Sequence, residues 1–286
     1  MRRQSVVLLF SLGFAFAAKA ASDAGPSNFH RVVSLSPAIT EILTHLGITD
    51  KLVGITEQCD DYDPSLAKIE SVGDYFKPNF EKVAMLKPDI LLVPDEGVGY
   101  SEREPKRIGL RYEVMRLKAL SDYPFVVEKL GELFKRKDVA QKMSRQWRSQ
   151  WEALDKKNQG NVLIQLQLSP PIFAGGGTFL SEAFARCGFT NILSKQVGYP
   201  QVSREALAKF DEEFLVVPLI HEKTRSVSDF WKFQSRAILL DERLFEKQSP
   251  PVNIVRLGPS FLIAAKAVCE ALARQLHSKK SSNEME

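Results

Sequence analysis

The chain repeats itself. Thr40-Glu41-Ile42-Leu43 through Gly47-Ile48-Thr49-Asp50 returns as Ser181-Glu182-Ala183-Phe184 through Gly188-Phe189-Thr190-Asn191, at an offset of 141. Glu81-Lys82-Val83-Ala84 through Ile90-Leu91-Leu92-Val93-Pro94 returns as Glu205-Ala206-Leu207-Ala208 through Phe214-Leu215-Val216-Val217-Pro218, at an offset of 124. The order of the blocks is kept, and the first copy carries 17 more residues between them. A unit present twice in one order restricts the fold to two similar lobes on a common plan.

That plan is α/β. Arg31 to Leu35 has a buried-strand pattern and is followed by Ser36-Pro37; Thr40 to Leu46 then has helical spacing and stops at Gly47, a residue suited to a helix C-cap. Lys51 to Ile55 is a second strand, Phe80 to Leu86 a short helix, and Ile90 to Val93 an apolar strand. In the second copy Val162 to Leu166 is a strand, Gly175-Gly176-Gly177 a turn, and Thr178 caps a helix ending at Cys187-Gly188. Ser203 begins another short helix before the strand Phe214 to Val217. Short strands alternating with helices imply βαβ units and mainly parallel sheets.

Between the copies, Phe125 to Phe134 is amphipathic, and Asp138 begins a second helix expected to reach about Lys156. Its apolar positions are Val139, Met143, Trp147, Trp151 and Leu154. A helix of that kind is a strut rather than a Gly-rich hinge and permits only small rocking. The expected boundaries are a leader at 1–20, a first lobe at 29–121, connecting helices at 122–158, a second lobe at 159–277 and a polar tail at 278–286.

The leader rests on Arg2 and Arg3, the apolar run Val6 to Ala18, and the small residues of Ala18-Lys19-Ala20, which predict cleavage after Ala20. Its apolar run is too short to span a membrane. The formal charge of +4 includes Arg2, Arg3 and Lys19, with no acid in the first twenty positions, so cleavage leaves about +1. So even a balance argues against nucleic acid as a partner, because that binding needs a concentrated basic surface. Of three cysteines in an oxidising compartment, two are expected to pair. Cys187 and Cys269 both sit in apolar surroundings and are the expected bridge, and Cys59, in Glu57-Gln58-Cys59-Asp60-Asp61, reads as an ordinary surface thiol.

Catalytic groupings are missing. His30, His45, His221 and His277 are scattered, no HExxH or G-x-S-x-G occurs, and Gly175-Gly176-Gly177-Thr178 lacks the lysine of a phosphate loop. No metal ligands, cofactor or enzymatic activity are expected. What stands out is aromatic and proline residues in loops beside strand ends, where open α/β sheets hold ligands: Pro37, Tyr62, Tyr75-Phe76, Phe173 and Tyr199-Pro200. Tyrosine offers a flat apolar face and a hydroxyl, suited to a broad, partly polar solute.

Arg31-Val32-Val33-Ser34-Leu35-Ser36-Pro37-Ala38-Ile39-Thr40-Glu41, with Asn79-Phe80-Glu81 through Leu86-Lys87-Pro88-Asp89, resembles the first lobe of periplasmic solute-binding proteins of the helical-backbone type (class III). These serve ABC importers for vitamin B12, ferric siderophores and haem. Pro170 to Phe173, Asn191-Ile192, Pro200 to Glu205 and Arg256-Leu257-Gly258-Pro259 are most similar to the branch serving cobalamin. The resemblance implies a monomer in the periplasm that carries a corrinoid between lobes joined by one long backbone helix. It implies Tyr62, Tyr75 and Tyr199 in the cleft, Arg256 in the ligand loop, and Glu81 and Glu205 as one docking glutamate per lobe for the permease subunits. It also implies the Cys187–Cys269 bridge. One departure is the run Pro250 to Val255, which lacks the acid that the cobalamin branch has before the arginine; Asp241 or Glu246 could substitute. A siderophore or haem carrier is the alternative within the family, and an exported α/β hydrolase the alternative outside it.

Overall fold

The structure is a computed structural model that describes residues 29–59, 63–95, 103–154, 159–218, 224–239 and 254–283. The expected leader, Tyr62, Asp241 and Glu246 lie outside the described residues.

The first lobe contains β1 (Val32–Ser34), α1 (Pro37–His45), β2 (Leu52–Ile55), β3 (Glu70–Ser71), α2 (Phe80–Met85), β4 (Ile90–Pro94), α3 (Arg103–Arg107) and β5 (Tyr112–Met115). The strands form one sheet in the order β3-β2-β1-β4-β5, and every pairing is parallel. Successive strands therefore need crossovers, and α1 and α2 supply two of them. Ser36 caps α1 and Pro37 occupies its first turn, where a missing N–H is harmless. Asn79 caps α2 through the N–H groups of Glu81 and Lys82. The start of the chain is tied down by Asp89, which accepts from the N–H of His30 and of Arg31; those bonds hold its carboxyl below its ordinary range.

Two helices then pack against each other: α4 (Asp122–Leu133) and α5 (Lys137–Glu152). Their contact is close because Gly131 has no side chain; a Cβ there would lie 2.3 Å from that of Ala140. The strut is shorter than expected, 16 residues ending at Glu152, or about 24 Å. Its buried face is Ala140, Ser144 and Trp147, and Val139 is exposed. The expectation from Val139 failed because large apolar residues outweighed small ones in the pattern, and Ala140 and Ser144 let α5 approach α4.

The second lobe runs through β6 (Gly160–Leu168), β7 (Pro171–Ala174), α6 (Phe179–Arg186), β8 (Phe189–Asn191), α7 (Arg204–Leu207), β9 (Phe214–Pro218), α8 (Thr224–Trp231) and β10 (Ala237–Leu239). The last helix, α9 (Phe261–Asn283), continues through much of the segment expected as a polar tail. The sheet order is β10-β9-β6-β7, with β8 beside the first half of β6. Among the described strand pairs of this sheet, the β6–β7 hairpin is antiparallel and the rest are parallel. The duplication is visible in the pairing. β1 lies between β2 and β4 as β6 lies between β8 and β9, and Gly47 and Gly188 end α1 and α6 with φ of 71° and 85°.

Each sheet has an outer core of its own: Val33, Leu91 and Val93 under the first lobe's outer layer, Leu163, Phe214 and Trp231 under the second's. The third core is shared. It runs from Val32 and Ile42 through Tyr123 and Trp147 to Val162, Phe184 and Leu272, and so joins both lobes to the connecting helices. Lobes joined by a shared apolar core cannot swing apart freely, because opening it exposes that apolar surface.

Candidate ligand cleft and docking faces

At the centre of the seam a chain of rings crosses from the connector into the second lobe. Tyr123 stacks on Trp147 at 3.8 Å between centroids, Trp147 lies 6.2 Å from Phe261, and Phe261 meets Phe179 edge-on at 5.2 Å. Beside it lies a cavity of about 430 Å³ lined by all three parts of the molecule, including Glu41, Tyr123, Trp147, Arg256 and Ser260. Arg256 is 8% exposed and Glu41 1%. The Oε1 of Glu41 accepts from the N–H of Ser260 at 3.0 Å and from its hydroxyl at 2.6 Å. Of the expected ligand residues that are described, Arg256 is the one that lines this cavity.

Pro37, Tyr75 and Tyr199 lie just beyond the carboxyl ends of strands β1, β3 and β8. Pro37, half-buried, follows β1 at the point where the strand order reverses, the usual crevice of an open parallel sheet. Tyr75 is half-buried and meets the 66% exposed Phe76 edge-on at 5.0 Å. In the second lobe Tyr199 is 52% exposed, on a loop whose tip, Val197, is 86% exposed. That loop is fixed. Gly175 and Gly176 donate to the carbonyls of Gly198 and Gln196, each at 2.8 Å, and Gly198 donates to Gly176 at 2.9 Å. The glycine run thus makes a strand-to-helix turn, with φ of 70° at Gly177, and also a bare shelf for the Tyr199 loop. The shelf and Val197 escaped sequence reasoning, since no local pattern reports what packs over a glycine.

Phe173 is a correction. It is fully buried on β7 and packs edge-on against Trp231 in the second lobe's outer core. Sequence proximity to Pro170-Pro171 suggested a loop, but the hairpin places Phe173 on a strand.

Glu81 and Glu205 are both exposed, and each is the second residue of its short helix, α2 and α7. Glu205 lies next to the Ser203 cap, and its own N–H and the Ser203 hydroxyl hold its carboxyl below the ordinary range.

Cys187 and Cys269 form a disulfide joining the end of α6 to α9. Cys59, expected on the surface, is instead fully buried, with Sγ 3.3 Å from the Thr40 hydroxyl and 3.2 Å from that of Thr56. A turn of 3₁₀ helix over Glu57–Cys59 rolls the thiol under α1 while Glu57 stays exposed. Burial raises its pKa, which the two hydroxyls only partly oppose. No group of three or more metal-ligating side chains occurs among the described residues, and none of their helices is long and apolar enough to cross a membrane.

Two similar parallel-sheet lobes, a short helical connector and a seam bearing a buried arginine define a two-lobed solute-binding protein. Comparison with known proteins agrees: the model described as periplasmic binding protein matches residues 32–228, and the chain belongs to that family, a non-enzymatic component of transport. A vitamin B12-binding protein of Vibrio vulnificus is 30% identical over 276 residues, covering 94% of this chain and 96% of the relative. One of Yersinia pseudotuberculosis is 30% identical over 288 residues, covering 95% and 93%. Among solved structures, the periplasmic vitamin B12 binding protein BtuF of Vibrio cholerae matches with a TM-score of 0.67 at 25% identity, covering 86% of this chain and 98% of that one. A periplasmic heme binding protein of Pseudomonas aeruginosa shares the fold, with a TM-score of 0.69 at 23% identity and coverage of 86% and 93%.

Proposed function

We propose that the protein, exported after cleavage behind Ala20, binds a corrinoid, cobalamin foremost, between its lobes and delivers it to the permease of an ABC importer. The observation that carries this reading is the exposed aromatic side chains in loops at the strand ends of both lobes, Phe76 beside Tyr75 in one and Tyr199 in the other, together with a buried Arg256 at the seam. A corrinoid is broad, apolar on its faces and rimmed with amides. Aromatic faces meet the ring, and a guanidinium gives donors to amide or phosphate oxygens. Pro37 is assigned to the first lobe's side of the ligand, and Tyr62 is assigned there on the family resemblance alone. Glu81 and Glu205, at matching helix positions, are the handles by which each lobe meets an arginine-bearing permease.

Titration calorimetry of the mature chain tests the ligand. Cyanocobalamin should bind one to one and tightly. Heat with haem or a ferric siderophore, and silence with cobalamin and cobinamide, would replace the corrinoid with that ligand.

A further inference from the structure

The repeat that organises the chain also crosses it. Glu41 and Glu182 are equivalent positions, 141 residues apart, on α1 and α6. Glu41, in the first lobe, accepts from Ser260, the residue immediately before α9 of the second lobe. Glu182, in the second lobe, accepts from the N–H of Leu120 at 3.0 Å, two residues before α4, which follows the first lobe's last strand. The neighbouring N–H groups of Lys118 and Ala119 are taken by Asp122, so Leu120 is the one left for the other lobe. Each lobe's first helix therefore holds the chain at the start of the next described helix after the other lobe's last described strand. A carboxylate there also meets the positive end of the helix dipole.

The Glu41 contact is built for close approach. A Cβ on Gly258 would fall 2.1 Å from Glu41 Oε2, so only glycine admits the carboxylate. The same short segment carries Arg256. Gly258 donates to the Arg256 carbonyl at 2.9 Å and Phe261 to that of Gly258 at 3.0 Å, so the chain from Arg256 to α9 moves as a unit. We propose that Glu41 and Glu182 are a crossed pair of clasps that fix the inter-lobe angle at two equivalent points, and that Glu41 is in addition the positioning residue for Arg256. Only the consequence for Arg256 rests on the corrinoid reading; the clasps do not.

The test measures the lobes without ligand. Spin labels attached through Lys68→Cys and Lys209→Cys, both exposed positions, one in each lobe, report an inter-lobe distance distribution by pulsed electron spin resonance. Glu41→Ala and Glu182→Ala should each broaden it, and the double variant should broaden it by more than their sum, because either clasp alone still limits the angle. Glu41→Gln should stay narrow, since its amide oxygen still accepts from Ser260. In stopped flow, cyanocobalamin should leave Glu41→Ala roughly tenfold faster than the parent, the loss expected for a charged hydrogen-bonded anchor, and Glu41→Gln should restore slow release. A folded double variant with the parent distribution overturns the clasps. If the double variant does not fold, Gly258→Ala carries the test: its Cβ displaces Glu41 and leaves both charges in place, and an unchanged distribution there is equally fatal.

Discussion

Replacing Gly175 with alanine should dislodge the Tyr199 loop while leaving the lobe folded. A Cβ at Gly175 would stand 1.9 Å from the Gln196 carbonyl oxygen and 3.1 Å from that of Gly198. Both neighbours are backbone, so no side-chain rotation relieves the overlap. The loop must retreat by roughly 1.5 Å to restore ordinary contact. Overpacking of this kind costs about 1–3 kcal/mol. The three hydrogen bonds that fasten the loop to Gly175 and Gly176 are weakened with it, at about 1 kcal/mol each if lost. The total of about 1–6 kcal/mol, from overpacking alone to the loss of all three bonds, falls on the fastening of the loop, because β6 and α6 are held by other contacts. Gly198→Ala is the control: nothing lies within 4 Å of its Cβ, and only its φ of +80° is strained, worth about 1–2 kcal/mol. Hydrogen exchange should show the amides of Gly176 and Gly198 losing at least tenfold protection in Gly175→Ala, with most other amides of the sheet unchanged. Cyanocobalamin affinity should drop at least tenfold in parallel, as Val197 and Tyr199 leave their places. Parent-like exchange at both amides in Gly175→Ala, or a larger loss in Gly198→Ala, would refute the shelf.

The disulfide closes a loop with a sequence separation of 82, which by chain entropy corresponds to about 4.5 kcal/mol; Cys187→Ala with Cys269→Ala should lower the urea midpoint accordingly, and an unshifted midpoint would contradict it. Thiol reagents should label none of the native protein's cysteines quickly and one after unreduced denaturation; three labels would mean that no bridge forms. Glu81→Ala with Glu205→Ala should spare cyanocobalamin binding and abolish stimulation of the importer's ATPase, and undiminished stimulation would remove both residues from the docking assignment.

The two-lobe plan was legible because it rests on local signals repeated twice: apolar strands, Gly47 and Gly188 as helix stops, and helix starts at Thr178 and Ser203; the caps at Ser36 and Asn79 came with the structure. Such signals describe a residue's own element and say little about what lies across from it. Cys59 was misread for that reason, since its charged neighbours advertise a surface loop while the thiol turns inward to Thr40 and Thr56. Phe173 was misread because a four-residue strand beside two prolines has too few positions to show alternation. Short edge strands such as β3, β8 and β10 passed unnoticed for the same lack of length.

Glu41 and Glu182 mark the boundary of that legibility. The alignment set them at equivalent points, but one glutamate on each of two amphipathic helices reads simply as a polar position. Their partners, Ser260 and Leu120, lie 219 and 62 residues away and belong to no shared pattern. Only the pairing of the lobes reveals that each glutamate reaches out of its own copy. A duplication that had merely been joined end to end would leave both carboxylates within their own lobes. The crossed contacts instead make each copy incomplete without the other, so the seam that holds Arg256 is a product of the pair.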